Sequence, residues 1–144
     1  MAKEGEYVKW FSELSNKDVS IAGGKGASLA EMYNFKFPIP PGFIITAQAY
    51  KHFIESTGLD KKINDILSGL DIEDTKKLDD DAAKIRKLIE ETSLPADISQ
   101  QIAEAYDILD VNKEQLAGAN KVALDILKRS KEPPFVAVRS SATT

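Results

Sequence analysis

The tetrapeptide Gly23-Gly24-Lys25-Gly26 combines three features of phosphate-binding sites. Glycine lets a ligand approach the backbone closely, the start of a helix offers free N–H groups, and lysine adds a positive charge. The spacing is not that of a Walker A motif, which needs glycine in place of Val19, nor that of a dinucleotide fingerprint, which needs Gly or Ala in place of Leu29. From the residues alone, two interpretations stay open: a phosphate site, or a flexible turn with a solvated lysine.

A second candidate segment combines an arginine with hydroxyl groups near the end of the chain. The apolar run Phe135–Arg139 predicts a buried strand, and Arg139 closes it. A guanidinium group is costly to desolvate without a partner, and arginine binds phosphate through two parallel hydrogen bonds. The hydroxyl groups that follow, on Ser140, Ser141 and Thr143, can add donors. The alternative is that Arg139 forms a structural salt bridge with a neighbouring part of the fold.

Other polar and aromatic residues are weaker candidates for chemistry. His52 is expected to be a half-exposed helix residue, and the acids Asp79–Asp81 are expected to form a solvated face, because consecutive residues on a helix point in different directions. No basic stripe accompanies the aromatic side chains, so we expect a core role for them instead of base stacking. They are Trp10, Phe11, Phe35, Phe37 and Phe43.

The composition excludes several classes of protein. The 144 residues include no cysteine and one histidine, which rules out disulfides, thiolate metal sites and multi-histidine zinc sites. A net charge of −4 argues against a dedicated nucleic-acid binder. The charged start lacks the apolar segment of a signal peptide, and no apolar run reaches the about 18 residues of a membrane span. We therefore expect a cytoplasmic protein with no nucleic-acid or membrane partner.

The candidate segments lie at the two ends of the chain, and a helical region separates them. Tyr7–Phe11 and Phe43–Ile45 are predicted strands, the latter buried. A polar loop over 15–22 precedes the glycines, and a helix follows them through Tyr33, with Asn34 ending it in a left-handed conformation. Prolines exclude helix from the extended segment 38–42.

Residues 46–131 are predicted to be entirely helical, because apolar residues recur at helical spacing with charged residues opposite. Thr46 is a suitable N-cap and Gly58 a suitable residue just past a helix end, while Pro95 resets the chain. The five stripes are Tyr50/Phe53/Ile54, Leu59/Ile63/Ile66/Leu67/Leu70, Leu78/Ala82/Ile85/Ile89, Ile98/Ile102/Ala105/Leu109 and Leu116/Ala119/Ala123/Leu127. The expected fold is α+β: a small mixed or antiparallel sheet of the three strands, covered by about five helices.

Taken together, the segments resemble the N-terminal part of phosphoenolpyruvate synthases, in the pyruvate phosphate dikinase family. The resemblance rests on Gly23–Met32, Pro38–Phe43 and Val138–Thr143 in this order, and covers nearly the whole chain. Rifampicin phosphotransferases share the same ATP-grasp domain. The short connection from Phe11 to Gly23 is more similar to the synthases than to the dikinases.

The resemblance implies a function and a set of partners. Family members bind Mg-ATP in this domain and pass a phosphoryl group to a histidine on a swivelling domain. A C-terminal barrel domain then phosphorylates pyruvate. The overall reaction of the synthases converts ATP, pyruvate and water into phosphoenolpyruvate, AMP and phosphate. By the motif match, Lys25 and Arg139 are similar to the family's phosphate-binding lysine and arginine, with Gly23, Gly24 and Gly26 forming the glycine loop and Ser140, Ser141 and Thr143 as weaker candidates.

Departures from the family pattern limit what residues 1–144 are expected to do. The acceptor-histidine motif is absent, and His52 does not match it. The metal ligands and the pyruvate barrel belong to later parts of such proteins, so we expect one partial domain that is inactive alone and works with the rest of a longer polypeptide. The alternative is a non-catalytic helical binding module, in which the glycine loop and Arg139 are structural.

Overall fold

The computed structural model describes residues 5–70, 73–109, 122 and 134–143. Within these ranges it contains two strands and five helices, which confirms the α+β class. In chain order they are β1 (Val8–Trp10), a turn of 3₁₀ helix (Phe11–Glu13), α1 (Val19–Asn34), β2 (Phe43–Ile45), α2 (Ala47–Ser56), α3 (Leu59–Ser68), α4 (Thr75–Glu91) and α5 (Ala96–Asp107). Among the described residues, no helix is long and apolar enough to cross a membrane.

The sheet is smaller than predicted. Strands β1 and β2 pair antiparallel, with Val8 opposite Ile45 and Trp10 opposite Phe43. Strand β2 is only half-buried, and Ile45 is 50% exposed, so the expectation of a buried strand was wrong. The predicted third strand, Phe135–Arg139, is also wrong: in the described part of the chain this segment forms no strand. Its apolar sequence has the composition of a strand, but no described strand pairs with it.

Helix α1 differs from the prediction at both ends. It begins at Val19, so the predicted loop over 15–22 is shorter, and its regular geometry is interrupted at Gly23. Its C-terminus does not place Asn34 in a left-handed conformation. Lys36 takes that role with φ 64°. The N–H groups of Lys36 and Phe37 donate to the carbonyls of Tyr33 and Met32, both at 3.1 Å, which is a Schellman motif.

Helices α2 to α5 follow the predicted apolar stripes. The Thr46 Oγ1 atom accepts a hydrogen bond from the Ala49 N–H at 3.3 Å, so Thr46 caps α2 as expected. Gly58 has φ 68° just past the end of α2, also as expected, and directly precedes α3. Helix α5 begins after Pro95. The fifth stripe, Leu116 to Leu127, lies outside the described residues.

Two buried clusters hold these elements together. The first joins β1 to the helical region and contains Tyr7, Ala49, Phe53, Leu59 and Ile98. The second fixes α1 against the sheet and contains Leu14, Ala22, Ala27 and Ala30, with Ile44 packed against it. The second cluster consists largely of alanines, so α1 lies close to its neighbours.

For several side chains, the structure corrects the predicted burial. Phe35 and Phe37 are 69% and 59% exposed, so they do not belong to the core. Asp81 is buried and paired with Lys84 at 2.7 Å instead of lying on a solvated face. His52 is half-exposed as expected. Its ring stacks on Tyr7, and its Nε2 lies 3.1 Å from an Asp97 carboxylate oxygen.

Candidate functional site

The interruption in α1 is where the two candidate segments meet. The N–H of Gly24 donates to the carbonyl of Ala142 at 2.8 Å, and the N–H of Gly26 donates to the Ser141 Oγ atom at 3.0 Å. Gly26 and Ser141 are 115 positions apart in sequence. The structure therefore brings the glycine loop and the segment 140–143 into direct contact, and two of the N–H groups at the start of the second part of α1 are hydrogen-bonded within the chain.

The three glycines have different steric surroundings. Gly23 has φ 71° and ψ 166°, a conformation open almost only to glycine, and a Cβ atom there would lie 2.7 Å from the backbone carbon of Ser141. A Cβ atom at Gly26 would lie 2.8 Å from the Cδ1 atom of Ile44. A Cβ atom at Gly24 would meet no atom of the described residues within 4 Å. The fold thus needs Gly23 and closely packs Gly26, whereas the described residues leave open space beside Gly24.

The two predicted cations are close in sequence to the residues that form this contact. Lys25 stands between the two hydrogen-bonded glycines, and Arg139 is two residues before Ser141; both side chains are exposed. In the ranges that the structure describes, neither forms an ion pair with a carboxylate. The alternative in which Arg139 makes a structural salt bridge has no support among these residues. Within the described part of the chain, both positive charges are therefore available to a ligand.

Only one of the three hydroxyl candidates is tied to the glycine loop. Ser141 is half-buried and accepts the Gly26 N–H, which leaves its own hydroxyl proton available for donation. Ser140 and Thr143 are exposed and make no hydrogen bond to the described residues. Sequence reasoning missed the Ala142 carbonyl and the Ile44 side chain. Ala142 could have been found from its position next to the candidate Ser141. Nothing in the sequence indicated that the Ile44 side chain packs against Gly26.

The turn before α1 holds its first part in place. The Asp18 carboxylate accepts hydrogen bonds from the hydroxyl and the N–H of Ser15, both at 2.8 Å. These two bonds, the hydroxyl first, hold the pKa of Asp18 below its ordinary value, because they favour the charged form. The Asp18 carbonyl in turn accepts the N–H groups of Ile21 and Ala22 at 3.0 and 2.8 Å. This turn fixes the helical residues that lead into Gly23.

The described residues include no group of three histidine, aspartate or glutamate side chains placed to hold a metal ion. Lys25 and Arg139, the charged residues beside the contact, are cations and do not suit a divalent metal ion. The residues that the structure describes therefore offer no ligand set for a metal ion.

Comparison with protein families gives the site its context. The profile of the family described as "Pyruvate phosphate dikinase, AMP/ATP-binding domain" matches residues 19–144. The chain belongs to this family. The match begins at the first residue of α1 and includes both the glycine loop and Arg139, and it confirms the resemblance found from the sequence motifs.

Individual relatives of this AMP/ATP-binding domain carry the same enzyme name. A "Probable phosphoenolpyruvate synthase" of Methanocaldococcus jannaschii is 51% identical over 96% of the chain, and one of Staphylothermus marinus is 41% identical over 98%. A "Phosphoenolpyruvate synthase" of Pyrococcus furiosus is 36% identical over 95%. The chain spans only 10%, 15% and 19% of the length of these three proteins, respectively.

Proposed function

We propose that this chain is the N-terminal nucleotide-binding part of a phosphoenolpyruvate synthase, within an ATP-grasp domain. The observation that carries the proposal is the pair of hydrogen bonds from Gly24 and Gly26 to Ala142 and Ser141, which places Lys25 and Arg139 in adjoining segments. The membership in the AMP/ATP-binding domain family and the names of the relatives support the same conclusion. A non-catalytic binding module explains the motifs less well, because it gives no role to two exposed cations that pair with no carboxylate of the described residues.

The proposed reaction is a phosphoryl transfer, which is catalysed mainly by positioning and by neutralising charge. ATP, pyruvate and water give phosphoenolpyruvate, AMP and phosphate by way of a phosphohistidine on another domain. Lys25 and Arg139 bind phosphate oxygens of ATP and offset their charge, and Gly24 lets those oxygens approach the backbone because it carries no side chain. Magnesium supplies further charge neutralisation, and its ligands lie outside the described residues.

In this proposal, residues 1–144 form a single partial domain whose helical subregion covers 46–131. The acceptor histidine, the metal ligands and the pyruvate barrel belong to the rest of a longer cytoplasmic polypeptide. The isolated chain is therefore expected to produce no AMP at steady state. A related dikinase or rifampicin phosphotransferase would use the same ATP-binding part with another acceptor.

The test uses alanine variants of the two cations in the full-length polypeptide. Lys25→Ala and Arg139→Ala should each lower the rate of ATP-dependent phosphoenolpyruvate formation by about 100-fold or more, as loss of one preorganised donor does in other anion sites. Lys17→Ala, which removes an exposed lysine before α1, is the matched control and should change the rate less than about 2-fold, because surface charges contribute little.

The products distinguish the family members. A synthase releases AMP and phosphate, whereas release of pyrophosphate in a phosphate-dependent reaction would assign the chain to a dikinase. Near-wild-type rates and ATP affinity in both cation variants would refute the phosphate site and favour the binding module.

A further inference from the structure

The contact between the glycine loop and the segment 140–143 assigns Ser141 a role that differs from binding phosphate. Of the three hydroxyl candidates Ser140, Ser141 and Thr143, only Ser141 is held in the described structure, through its Oγ atom and the Gly26 N–H at 3.0 Å. The neighbouring Ala142 carbonyl accepts the Gly24 N–H at 2.8 Å. Two consecutive residues of this segment are therefore hydrogen-bonded to two N–H groups at the start of the second part of α1. This two-point contact fixes the position from which the chain runs back to Arg139.

The segment packs closely against Gly23 and Gly26. The backbone of Ser141 lies where a Cβ atom of any other residue at position 23 would be, so the absence of a side chain at Gly23 makes room for it. The Ser141 Oγ atom also lies 3.5 Å from the Cβ position of Gly26, in ordinary van der Waals contact. By contrast, the residues just before it are exposed, Val138 to 91%, and Arg139 as well.

We propose that Ser141 is a positioning residue: its hydrogen bond to the Gly26 N–H sets the location of Arg139 relative to Lys25, so that both cations reach the same polyphosphate. This inference rests on the proposed function. It also divides the glycine loop into two roles. Gly23 and Gly26 make room for the segment 140–143, whereas Gly24 and Lys25 face the nucleotide. Without the Ser141 bond, the exposed segment carrying Arg139 samples other positions, and misplacement of a charged group by about 1 Å is enough to lower a rate strongly.

A double-mutant cycle in the full-length polypeptide tests the inference, with kcat/KM for Mg-ATP as the measured quantity. Ser141→Ala should lower kcat/KM about 10-fold, which corresponds to about 1.4 kcal/mol. In the Arg139→Ala background the same change should lower it by less than about 2-fold, because Ser141 acts through Arg139. Ser20→Ala removes an exposed hydroxyl from the first part of α1, at a residue outside the candidate site, and is the matched control, with an expected change below about 2-fold.

The outcomes separate this inference from the proposed function. If Ser141→Ala reduces kcat/KM equally in both backgrounds, Ser141 acts independently of Arg139, as a direct ligand or through stability, and the inference is wrong. If Ser141→Ala equals the wild type, the inference is also wrong, although the cation variants can still support the phosphate site. If Lys25→Ala and Arg139→Ala have no effect, the proposed function itself fails, and the inference fails with it.

Amide hydrogen exchange by NMR on the unchanged 144-residue chain tests the contact without any substitution, so an unfolded variant does not leave the question open. The Gly24 and Gly26 amides should both be protected, since both donate hydrogen bonds to the segment 140–143. Exchange at the rate of an unstructured peptide at both amides would overturn the inference. In a folded Ser141→Ala chain, the Gly26 amide should exchange faster than in the wild type.

Discussion

Replacing each glycine of the loop by alanine should have three different effects on stability. At Gly23, alanine must adopt φ 71° and ψ 166°, which costs about 1–3 kcal/mol. Its Cβ atom also displaces Ser141 and weakens the Gly24–Ala142 hydrogen bond, worth about 0.5–1.5 kcal/mol. The expected loss for Gly23→Ala is therefore about 2–4 kcal/mol.

Of the other two variants, Gly26→Ala should be less stable than the wild type and Gly24→Ala more stable. At Gly26, the alanine methyl group would lie 2.8 Å from the flexible end of the Ile44 side chain and 3.3 Å from the Cβ atom of Ala22, so the loss is about 1–2 kcal/mol. At Gly24, no atom of the described residues lies within 4 Å, and alanine in a helix is favoured by about 0.5–1 kcal/mol over glycine. Gly24→Ala should therefore raise the free energy of unfolding by about 0.5–1 kcal/mol.

The assay is urea unfolding followed by the fluorescence of Trp10, the single tryptophan, whose ring lies 5.6 Å from that of Phe43 in the sheet. The predicted order of stability is Gly24→Ala, wild type, Gly26→Ala and Gly23→Ala. A Gly23→Ala chain as stable as the wild type would refute the steric reasoning. In the full-length polypeptide, Gly24→Ala should weaken ATP binding although it stabilises the fold, and unchanged ATP affinity would show that no ligand uses the space beside Gly24.

Three further predictions concern the helix ends. Lys36→Gly should stabilise the chain by about 1 kcal/mol, because Lys36 has φ 64° in the Schellman motif and glycine adopts this conformation without strain. The control is Lys87→Gly, at an exposed position inside α4, which should destabilise the chain by a similar amount in the same unfolding assay. Thr46→Val keeps the shape of the buried side chain but removes the cap on α2, so it should lower the free energy of unfolding by about 1 kcal/mol; no change would show that the 3.3 Å hydrogen bond is unimportant. The pKa of Asp18 is lowered in the folded state, so its charged form should stabilise the chain at pH values above 3.8, the ordinary pKa of this carboxyl. This contribution should be lost as the pH falls below 3.8. Unfolding measured across that range should show a smaller pH dependence for Asp18→Asn, and equal profiles would contradict this assignment.

The helical region was predictable because its signals are local. Apolar residues three and four positions apart define one face of a helix, and caps such as Thr46 act within three residues of the helix start. The sheet prediction succeeded for the two strands that pair with each other and failed for Phe135–Arg139. Strand composition shows that a segment suits a sheet, but it does not show which strand, if any, pairs with it.

The burial of individual side chains was less predictable. Asp81 is buried although it stands in a run of acids, and Phe35 is exposed although it is aromatic, because each position depends on what packs around it in three dimensions. The left-handed residue after α1 shows the same limit at short range. Asparagine favours that conformation, yet the helix continues until the Schellman hydrogen bonds close around Lys36.

For the candidate site, the sequence by itself identified the glycine loop, Lys25, Arg139 and the hydroxyl residues, since their chemical types are those of a phosphate site. It also determined that the loop stands at the start of a helical segment. Only the tertiary structure decided that the N–H groups of Gly24 and Gly26 bind Ala142 and Ser141, because a contact between residues 115 positions apart depends on the packing of everything between them.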